Sequence, residues 1–291
     1  MNRALVTGAS GFVGRFAVAA LAERGFEVHG IARRPLADEP AVLWHEADLL
    51  EPQASARVVR EAGASHLLHL AWTTEHGHYW DDPANRDWVA ATQRLTKAFS
   101  EAGGRRAVLA GSCAQYDWSV AEAMSESGTP RRPGTLYGRA KEEVSALFDA
   151  TAIVFFPYGP FERPERLVPS VTLSLLAGEE AHTTAGTQER DFVHVADCGS
   201  ALAALLDSPL TGDINVGSGR ATPVAEVART IGRLLGREEL LRIGSLPGGD
   251  ATRVVADAAR LRDELGFAPR FGFEDGLRDA VEWWRQRTRR R

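Results

Sequence analysis

The fold is decided by the stretch Ala4-Leu5-Val6-Thr7-Gly8-Ala9-Ser10-Gly11-Phe12-Val13-Gly14. A short apolar run leads into a turn with a glycine at every third position, and the apolar residues 16–21 that follow predict a helix. Glycine at these places permits a tight turn, lets backbone N–H groups approach a pyrophosphate, and lets the helix pack closely on the strand. The stretch therefore predicts a strand, turn and helix with a dinucleotide at the helix N-terminus. Its candidate cofactor residues are Gly8, Ser10, Gly11, Phe12, Val13 and Gly14.

A second motif predicts an active site. The segment Tyr137-Gly138-Arg139-Ala140-Lys141 places a phenol and an ammonium four residues apart, so on a helix they share one face. Ser112 ends the apolar run 106–111, where side chains of a parallel sheet reach a cofactor crevice. We predict that Lys141 favours the phenolate of Tyr137 and that Tyr137 exchanges a proton with a substrate carbonyl or hydroxyl. Ser112 would hydrogen-bond the same oxygen.

The end of the second predicted strand bears on the choice of cofactor. Ile31 is followed by Ala32, Arg33 and Arg34, with no carboxylate within reach. An acidic residue at this position accepts the ribose hydroxyls of NAD. Two guanidinium groups instead suit a 2′-phosphate, because arginine binds phosphate bidentately. We therefore expect NADP(H) rather than NAD(H), held in part by Arg33 and Arg34.

Composition narrows the class of protein. The chain has 291 residues, 44% of them hydrophobic and 25% charged, and its net charge is −5. This charge gives no basic footprint for nucleic acid. The two cysteines, Cys113 and Cys198, lie in unrelated segments, which favours reduced thiols and a cytoplasmic location. With no apolar run near eighteen residues and no signal-like start, we expect neither a membrane span nor secretion.

Strands and helices alternate along the first half of the chain. This order predicts a doubly wound, Rossmann-like parallel α/β sheet in a dinucleotide-binding domain of residues 1–156. Residues 190–214 are expected to return to that domain. Residues 157–291 are expected to form mainly a smaller C-terminal substrate-binding domain, with a cleft between the two. The predicted strands are 3–7, 26–31, 42–47, 66–71, 106–112 and 152–156, and the predicted helices are 12–24, 53–62, 85–102 and 137–149. Further along, we predict strands at 190–194 and 213–216 and helices at 167–177, 196–207, 223–235, 257–265 and 274–286.

The order of the glycine turn, Ser112 and Tyr137-x-x-x-Lys141 resembles the short-chain dehydrogenase/reductase superfamily. Six further segments resemble its extended members, the NAD-dependent epimerase/dehydratase family that modifies nucleotide-linked sugars. They are His69-Leu70-Ala71, the helix entry from Pro83 to Asn85, Pro157-Tyr158-Gly159-Pro160, Arg190-Asp191-Phe192, Asn215-Val216-Gly217 and Leu265-Gly266-Phe267. The resemblance covers nearly the whole chain. It implies that Asp48 meets the adenine, that Ala71 lines the cofactor and that Lys141 also holds the nicotinamide ribose. Leu49 and Leu70, which adjoin Asp48 and Ala71, are also predicted to contact the cofactor.

The resemblance also suggests substrate contacts, among them Arg190 and Asn215 on the nucleotide side. Arg253 would replace an arginine that relatives often carry nearby. Simpler alternatives remain open, since Asp48 could cap a turn and Arg190 could pair with Asp191 or Asp197. The loop after residue 71 would face the sugar, and its histidines suit substrate contacts or loop packing better than a metal, so no metal is expected. The candidate substrate residues are Thr73, His78, Cys113, Gln115, Arg190, Asn215 and Arg253.

Departures from the family pattern separate the possible reactions. Cys113 and Ala114 stand where sugar-nucleotide 4,6-dehydratases carry Asp and Glu, which argues against dehydration. The leading hypothesis is an NADPH-dependent reductase of a keto group on a nucleotide-activated deoxysugar. The alternatives are an epimerase with retained NAD, a reductase of a non-sugar carbonyl and a non-catalytic dinucleotide sensor.

The interval between Tyr137 and Tyr158 is only 21 positions, so either the intervening helix ends early or part of the substrate wall is missing. A homodimer built on that helix is therefore open to question.

Overall fold

The computed structural model describes residues 2–36, 42–120, 122–248 and 252–289. Fourteen strands lie in these residues, and most are short. In chain order they are β1 (Arg3–Thr7), β2 (Glu27–Ala32), β3 (Val42–Glu46), β4 (His66–His69), β5 (Arg106–Ser112), β6 (Ala150–Val154), β7 (Phe156–Tyr158), β8 (Ala181–Thr183), β9 (Glu189–Arg190), β10 (Phe192–His194), β11 (Gly212–Val216), β12 (Thr222–Pro223), β13 (Leu241–Ile243) and β14 (Arg253–Val254).

Helices alternate with the first strands and dominate the C-terminal part. They are α1 (Phe12–Glu23), α2 (Ala54–Ala62), α3 (Ala84–Glu101), α4 (Leu136–Ser145), α5 (Leu167–Ala177), α6 (Val195–Leu206), α7 (Val224–Leu235) and α8 (Phe273–Arg289). Short 3-10 turns cover Cys113–Gln115 and Glu238–Leu240, and a π-helical turn covers Arg260–Glu264. No helix in the described part of the chain is long and apolar enough to cross a membrane.

The central sheet has seven strands in the order β3-β2-β1-β4-β5-β6-β11, and all its pairings are parallel. The order reverses between β1 and β4, so a crevice lies beyond the carboxyl ends of these two strands. Parallel neighbours need crossover connections, and α1, α2 and α3 supply them on opposite faces. The doubly wound α/β prediction is confirmed.

Alternation along β1 shows how the two faces are covered. Ala4 and Val6 pack in the cluster formed with α1 and α6, whereas Leu5 packs in the cluster formed with α2 and α3. Successive side chains of a strand point to opposite faces, so a strand buried on both sides is apolar throughout. Gly199 lets α6 lie against α1, since a Cβ placed there would stand 2.6 Å from the Phe16 Cβ.

The C-terminal helices have a core of their own. Tyr158, Val171, Val227 and Leu277 belong to a buried cluster between α5, α7 and α8. Small sheets, β8 with β13 and β9 with β12 and β14, lie in the same part of the chain. The pairing of β11 with β6 brings residues 212–216 back to the central sheet. The division into two domains at residue 156 stays a prediction.

Three predicted elements differ most from the structure, and other predicted ends shift by up to three residues. The helix predicted for 137–149 ends at Ser145, because the chain tightens into a turn in which the Phe148 N–H donates to the Ser145 carbonyl. The strand predicted for 190–194 breaks at Asp191, where the chain leaves the partners of β9 and pairs with β7. The helix predicted for 257–265 is only the π-helical turn Arg260–Glu264. The early end of α4 accounts for the short interval before Tyr158.

Candidate active site

A cavity of about 440 Å³ opens at the carboxyl ends of β1, β4 and β5. This is where the strand order reverses, the usual place for a ligand in a sheet of this type. Many residues that the sequence assigns to the cofactor and to catalysis lie in its wall. They are Gly8, Gly11, Phe12, Val13, Gly14, Leu70, Ala71, Ser112, Tyr137 and Lys141, and the candidate substrate residue Cys113 joins them.

The glycine turn fits the pyrophosphate of a dinucleotide. The Gly11 N–H donates to the Gly8 carbonyl at 2.9 Å, and Gly8 has a φ of +66° that glycine adopts readily. A Cβ on Gly14 would stand 2.1 Å from the Gly8 oxygen, so no other residue fits there. Within this described segment, α1 begins after its N-cap residue Gly11, with neither a side-chain cap nor an acidic residue in its first turn. The N–H groups of that turn remain available to an anion.

A buried relay fixes the wall opposite the glycine turn. The Thr7 hydroxyl accepts hydrogen bonds from the N–H groups of Leu70 and Ala71, both at 3.0 Å, and donates to His69 Nδ1 at 2.7 Å. His69 Nε2 then donates to Thr92 at 3.0 Å. Burial, with a smaller contribution from Lys141, lowers the pKa of His69 to about 3, so the imidazole stays neutral. The relay holds Leu70 and Ala71 at the end of β4 against β1.

Lys141 is nearly inaccessible to solvent at the base of the cavity. Its Nζ donates to the Ala110 carbonyl at 2.8 Å and lies 4.1 Å from the centre of the Trp72 ring. Burial lowers the pKa of this ammonium to about 7. The Trp72 indole is itself held by a hydrogen bond from Nε1 to Asn85 Oδ1 at 2.8 Å. Lys141 is therefore positioned by the end of β5 and by the loop after β4.

The phenol of Tyr137 has a raised pKa. Burial and the neighbouring Tyr79 raise the pKa of its phenol, and the Ser112 side chain only partly opposes them. In the protein alone the net direction of the pKa is therefore away from the phenolate, because loss of solvent is the largest effect, and the contribution of Lys141 stays a prediction. The phenol is therefore protonated at neutral pH, which suits it to donate a proton. Ser112 stands beside it at the start of the turn Cys113–Gln115, where its Oγ accepts the Ala114 N–H at 3.2 Å.

The loop after β4 supplies an aromatic wall. The rings of Tyr79 and Trp80 meet Tyr137 edge to face, with centroids 5.0 and 5.9 Å away, and the Tyr137 N–H donates to the Trp80 carbonyl. In this loop Thr74 and His76 line the cavity. The predicted sugar contacts Thr73 and His78 adjoin Thr74 and Tyr79 in the chain and are not among the described lining residues. The sequence therefore located this loop at the cavity.

Two predicted substrate residues are structural. Gln115 is fully buried, and its amide accepts the Ser112 N–H and donates to Glu142 and Ser145 at 2.8 and 2.9 Å. Asn215 is also fully buried. It accepts the Tyr116 hydroxyl at 2.8 Å and donates to the carbonyls of Met124 and Asp257 at 2.7 and 3.0 Å. These bonds occupy both amides, so the predicted substrate contacts are corrected to fold-stabilising ones.

The Arg190 segment lies behind the cavity wall. Arg190 Nη1 donates to the carbonyls of Glu189 and Thr252, and its guanidinium is 5.5 Å from the centre of the Phe156 ring, which lines the cavity. Arg253 forms an ion pair with Glu189 at 3.2 Å. Neither arginine is among the described lining residues, so their substrate contacts stay a prediction.

Asp191 and Asp197 tie distant segments together. The Asp191 carboxylate accepts the N–H groups of Ser218, Gly219 and Ala256 and the Ser218 hydroxyl, at 2.6–3.0 Å. Asp197 accepts the N–H groups of residues 270 and 271, at 2.8 and 3.0 Å. Both carboxylates therefore act as anchors for backbone N–H groups.

The remaining cofactor candidates lie outside the described cavity lining. Arg33 and Arg34 are exposed just after β2, and Ser10 is partly buried in the glycine turn. Asp48 accepts the Leu50 N–H at 3.0 Å, which is the turn-capping role weighed as an alternative, and Leu49 packs in the core. Their cofactor contacts stay predictions. Across the described residues, no group of three or more His, Cys, Asp or Glu side chains is arranged to hold a metal ion.

The chain belongs to the NAD dependent epimerase/dehydratase family, whose model matches residues 4–217. It is 28% identical to a UDP-glucose 4-epimerase of Streptomyces lividans, over 96% of this chain and 95% of that protein. It is 27% identical to a dTDP-glucose 4,6-dehydratase of Streptomyces niveus, over 97% and 93%. The solved structure of MoeE5 in complex with UDP-glucose and NAD aligns with a TM-score of 0.84 and 29% identity, over 99% and 100%. The resemblance to extended short-chain enzymes is confirmed.

Proposed function

We propose that this chain reduces a keto group on a nucleotide-linked deoxysugar and uses NADPH as the reductant. The observation that carries the proposal is the pair of exposed arginines, Arg33 and Arg34, directly after β2. A 2′-phosphate would find two bidentate donors there, whereas the ribose hydroxyls of NAD would lack the usual carboxylate. A cofactor that is consumed and released suits a reductase. The nucleotide-sugar substrate is supported by the UDP-glucose bound to MoeE5.

The residues beside Ser112 argue against a dehydratase. Cys113 is buried in the cavity wall, and burial raises the pKa of its thiol to about 12. Ala114 has no titratable group. Elimination of water needs groups that take a proton from one carbon and give a proton to the leaving hydroxyl. Because neither position can exchange a proton near neutral pH, reduction or epimerisation fits this site better.

The chain's own residues protonate and hydrogen-bond the carbonyl oxygen of the substrate. NADPH held by the glycine turn and Lys141 would supply the hydride for the carbonyl carbon. As negative charge develops on the carbonyl oxygen, Tyr137 delivers its phenolic proton and the product is the alcohol. Ser112 orients the same oxygen by a hydrogen bond, and the first turn of α1 holds the pyrophosphate. Lys141 holds the nicotinamide ribose and supplies positive charge near the phenolate that Tyr137 becomes.

A second candidate is a nucleotide-sugar epimerase with retained NAD. The Streptomyces lividans relative is named a UDP-glucose 4-epimerase, and MoeE5 was solved with NAD. An epimerase oxidises and re-reduces one carbon, so it needs the same serine, tyrosine and lysine but consumes no cofactor. A homodimer and a cytoplasmic location remain predictions under either candidate.

Cofactor analysis distinguishes the candidates. Purified protein is denatured and any released dinucleotide is identified, after which NADPH absorbance is followed with a panel of nucleotide-linked keto-sugars. Stoichiometric oxidation of NADPH supports the reductase. Interconversion of two sugar epimers without added cofactor selects the epimerase, and formation of a 4-keto-6-deoxy product from an unmodified nucleotide hexose overturns both.

The arginine pair is tested separately. Replacing Arg33 and Arg34 together by Ala is expected to weaken NADPH binding by about tenfold or more for each arginine and to leave NADH binding nearly unchanged. The control is Arg60→Ala on the exposed face of α2. An equal loss for both cofactors, or a native preference for NADH, would show that the pair does not read the 2′-phosphate.

A further inference from the structure

The segment after β7 contains the one described residue other than glycine with a positive φ. Phe161 has a φ of +68°, a conformation that is strained for a residue with a bulky side chain. Its ring compensates by packing on Trp283 of α8, with centroids 4.8 Å apart, and under the Arg15 guanidinium at 4.6 Å. Such strain persists only where the surroundings hold it, and its effect here is to set the direction of the next residue.

That next residue, Glu162, turns into the reaction cavity. It lines the same cavity as Ser112 and Tyr137, yet only 6% of its surface is exposed. Its carboxyl group is weakly held, since Oε2 accepts the Gly159 N–H at 3.4 Å and Oε1 lies 3.8 Å from Arg166 Nε. The Glu162 N–H donates to the Gly159 carbonyl at 3.3 Å, but no hydrogen bond between described residues uses the carboxyl group as a donor.

Burial favours the uncharged form of Glu162, and the charged and polar groups around it only partly offset this. Burial raises the pKa of this carboxyl to about 8, although Arg166 and the Gly159 N–H oppose the rise. Arg166 comes from the start of α5 and also faces His76 and Tyr79 of the loop after β4.

Two further groups face Glu162. Tyr158 of β7 lies close enough for Glu162 to raise the pKa of its phenol. Arg287 of α8 lines a second cavity, of about 380 Å³, whose wall includes Glu162. The Arg287 side chain carries no acceptor, and the Tyr158 hydroxyl donates to the Phe273 carbonyl at 3.3 Å. Below about pH 8, Glu162 therefore presents an O–H donor to the cavity.

We propose that Glu162 is a specificity-determining residue that donates a hydrogen bond, as an uncharged acid, to a hydroxyl or carbonyl oxygen of the sugar. This inference rests on the proposed function, because it assigns the sugar end of the same cavity. It accounts for a buried carboxyl group in the wall of the reaction cavity. The residue acts through binding and not through proton transfer to the reacting carbon.

The first experiment needs no ligand. Infrared spectra of the protein are recorded between pH 6 and pH 9.5 for the native chain, for Glu162→Gln and for the control Glu165→Gln, which alters an exposed neighbour. The native chain and the control should show a protonated carboxyl band that disappears with a midpoint near pH 8. The band should be missing from Glu162→Gln. A native spectrum without this band at pH 6 would overturn the proposal.

The second experiment measures binding of UDP-glucose, dTDP-glucose and the free nucleotides UDP and dTDP by calorimetry. At pH 6.5, Glu162→Leu should bind the better sugar nucleotide about tenfold more weakly, whereas Glu162→Gln should stay within about threefold of native. Free-nucleotide affinity should be the same in all variants. From pH 6.5 to 9.5 the native affinity for the sugar nucleotide should fall, and the Gln variant, which cannot ionise, should not follow it.

The outcomes separate the two proposals. Unchanged sugar-nucleotide binding in Glu162→Leu, or an equal loss for the free nucleotide, would overturn the role of Glu162 alone. If Glu162→Leu does not fold, the comparison of pH dependence between native protein and Glu162→Gln decides the question. A native protein that binds neither sugar nucleotide would overturn the proposed function and this inference with it.

Discussion

The buried ammonium of Lys141 should lower the free energy of unfolding, and the variant Lys141→Met measures by how much. Burial lowers the pKa of its ammonium from 10.5 to about 7. Since each tenfold change in a protonation equilibrium corresponds to about 1.36 kcal/mol, holding this group in the cavity costs about 5 kcal/mol at pH 6, where the unfolded chain carries a fully solvated ammonium. The cost fades as pH rises towards 10.5, because the unfolded lysine then loses its proton as well. At pH 9.5 about 1 kcal/mol remains.

Methionine has a similar length and no charge, so the variant keeps most of the packing. It loses the hydrogen bond to the Ala110 carbonyl, which contributes about 1 kcal/mol. The free energy of unfolding of Lys141→Met should therefore exceed that of the native protein by about 4 kcal/mol at pH 6. At pH 9.5 the two should be nearly equal. With an unfolding entropy of about 2.1 cal/mol/K per residue, a difference of 4 kcal/mol raises the melting temperature of 291 residues by about 7 °C.

The assay is thermal unfolding followed by circular dichroism at pH 6 and pH 9.5. Lys97→Met is the matched control, because Lys97 is the only other lysine of the chain and is 75% exposed on α3. This control should change the melting temperature by less than about 1 °C at either pH. A Lys141→Met protein that is no more stable than native at pH 6, or whose gain does not shrink at pH 9.5, would refute the desolvation of this ammonium. The same variant should lose dinucleotide-dependent activity.

Three further expectations can be checked directly. Tyr137→Phe should lower turnover on a verified substrate by about 10²–10⁴-fold with dinucleotide affinity unchanged, as steady-state kinetics and calorimetry would show; native turnover would contradict the assignment. Gly14→Ala should abolish dinucleotide binding, because its Cβ would stand 2.1 Å from the Gly8 oxygen, while Gly134→Ala, whose Cβ meets nothing within 4 Å, should bind normally in a fluorescence titration. Asp191→Asn keeps the two hydrogen bonds accepted by one oxygen but turns an N–H₂ group towards the N–H groups of Gly219 and Ala256. Denaturant unfolding should therefore show a loss of about 3–6 kcal/mol in the free energy of unfolding. A loss under about 1 kcal/mol would contradict the anchoring role.

The features that sequence predicted well are local ones. The glycine turn depends on φ and close approach at Gly8 and Gly14, and these are properties of a few adjacent residues. The shared face of Tyr137 and Lys141 follows from helical periodicity alone. For the same reason most strands and helices of the central sheet are placed within a few residues. The family and the doubly wound fold followed from these local signals.

The side chains that were misassigned are those whose partners lie far along the chain. Asn215 bonds to residues 116, 124 and 257, and no spacing rule brings those segments together. The charge state of Tyr137 depends on burial by the loop after β4. Glu162 was missed because its burial follows from the backbone conformation of Phe161. A positive φ at a phenylalanine leaves no mark in sequence.

The last strand of the central sheet to be synthesised, β11, has a consequence for how the protein is made. β6 lies next to β11 in the finished sheet, but the two are separated by 57 residues of sequence between Val154 and Gly212. At about 5–20 residues per second, a ribosome needs about 3–12 s to synthesise the missing neighbour. During that interval β6 is an open edge with unpaired N–H and C=O groups, and the face awaiting α6 is uncovered. Newly made chain is therefore most prone to aggregation and chaperone capture in this window. Limited proteolysis of arrested chains tests this, because chains arrested at residue 250 should be better protected than chains arrested at residue 205.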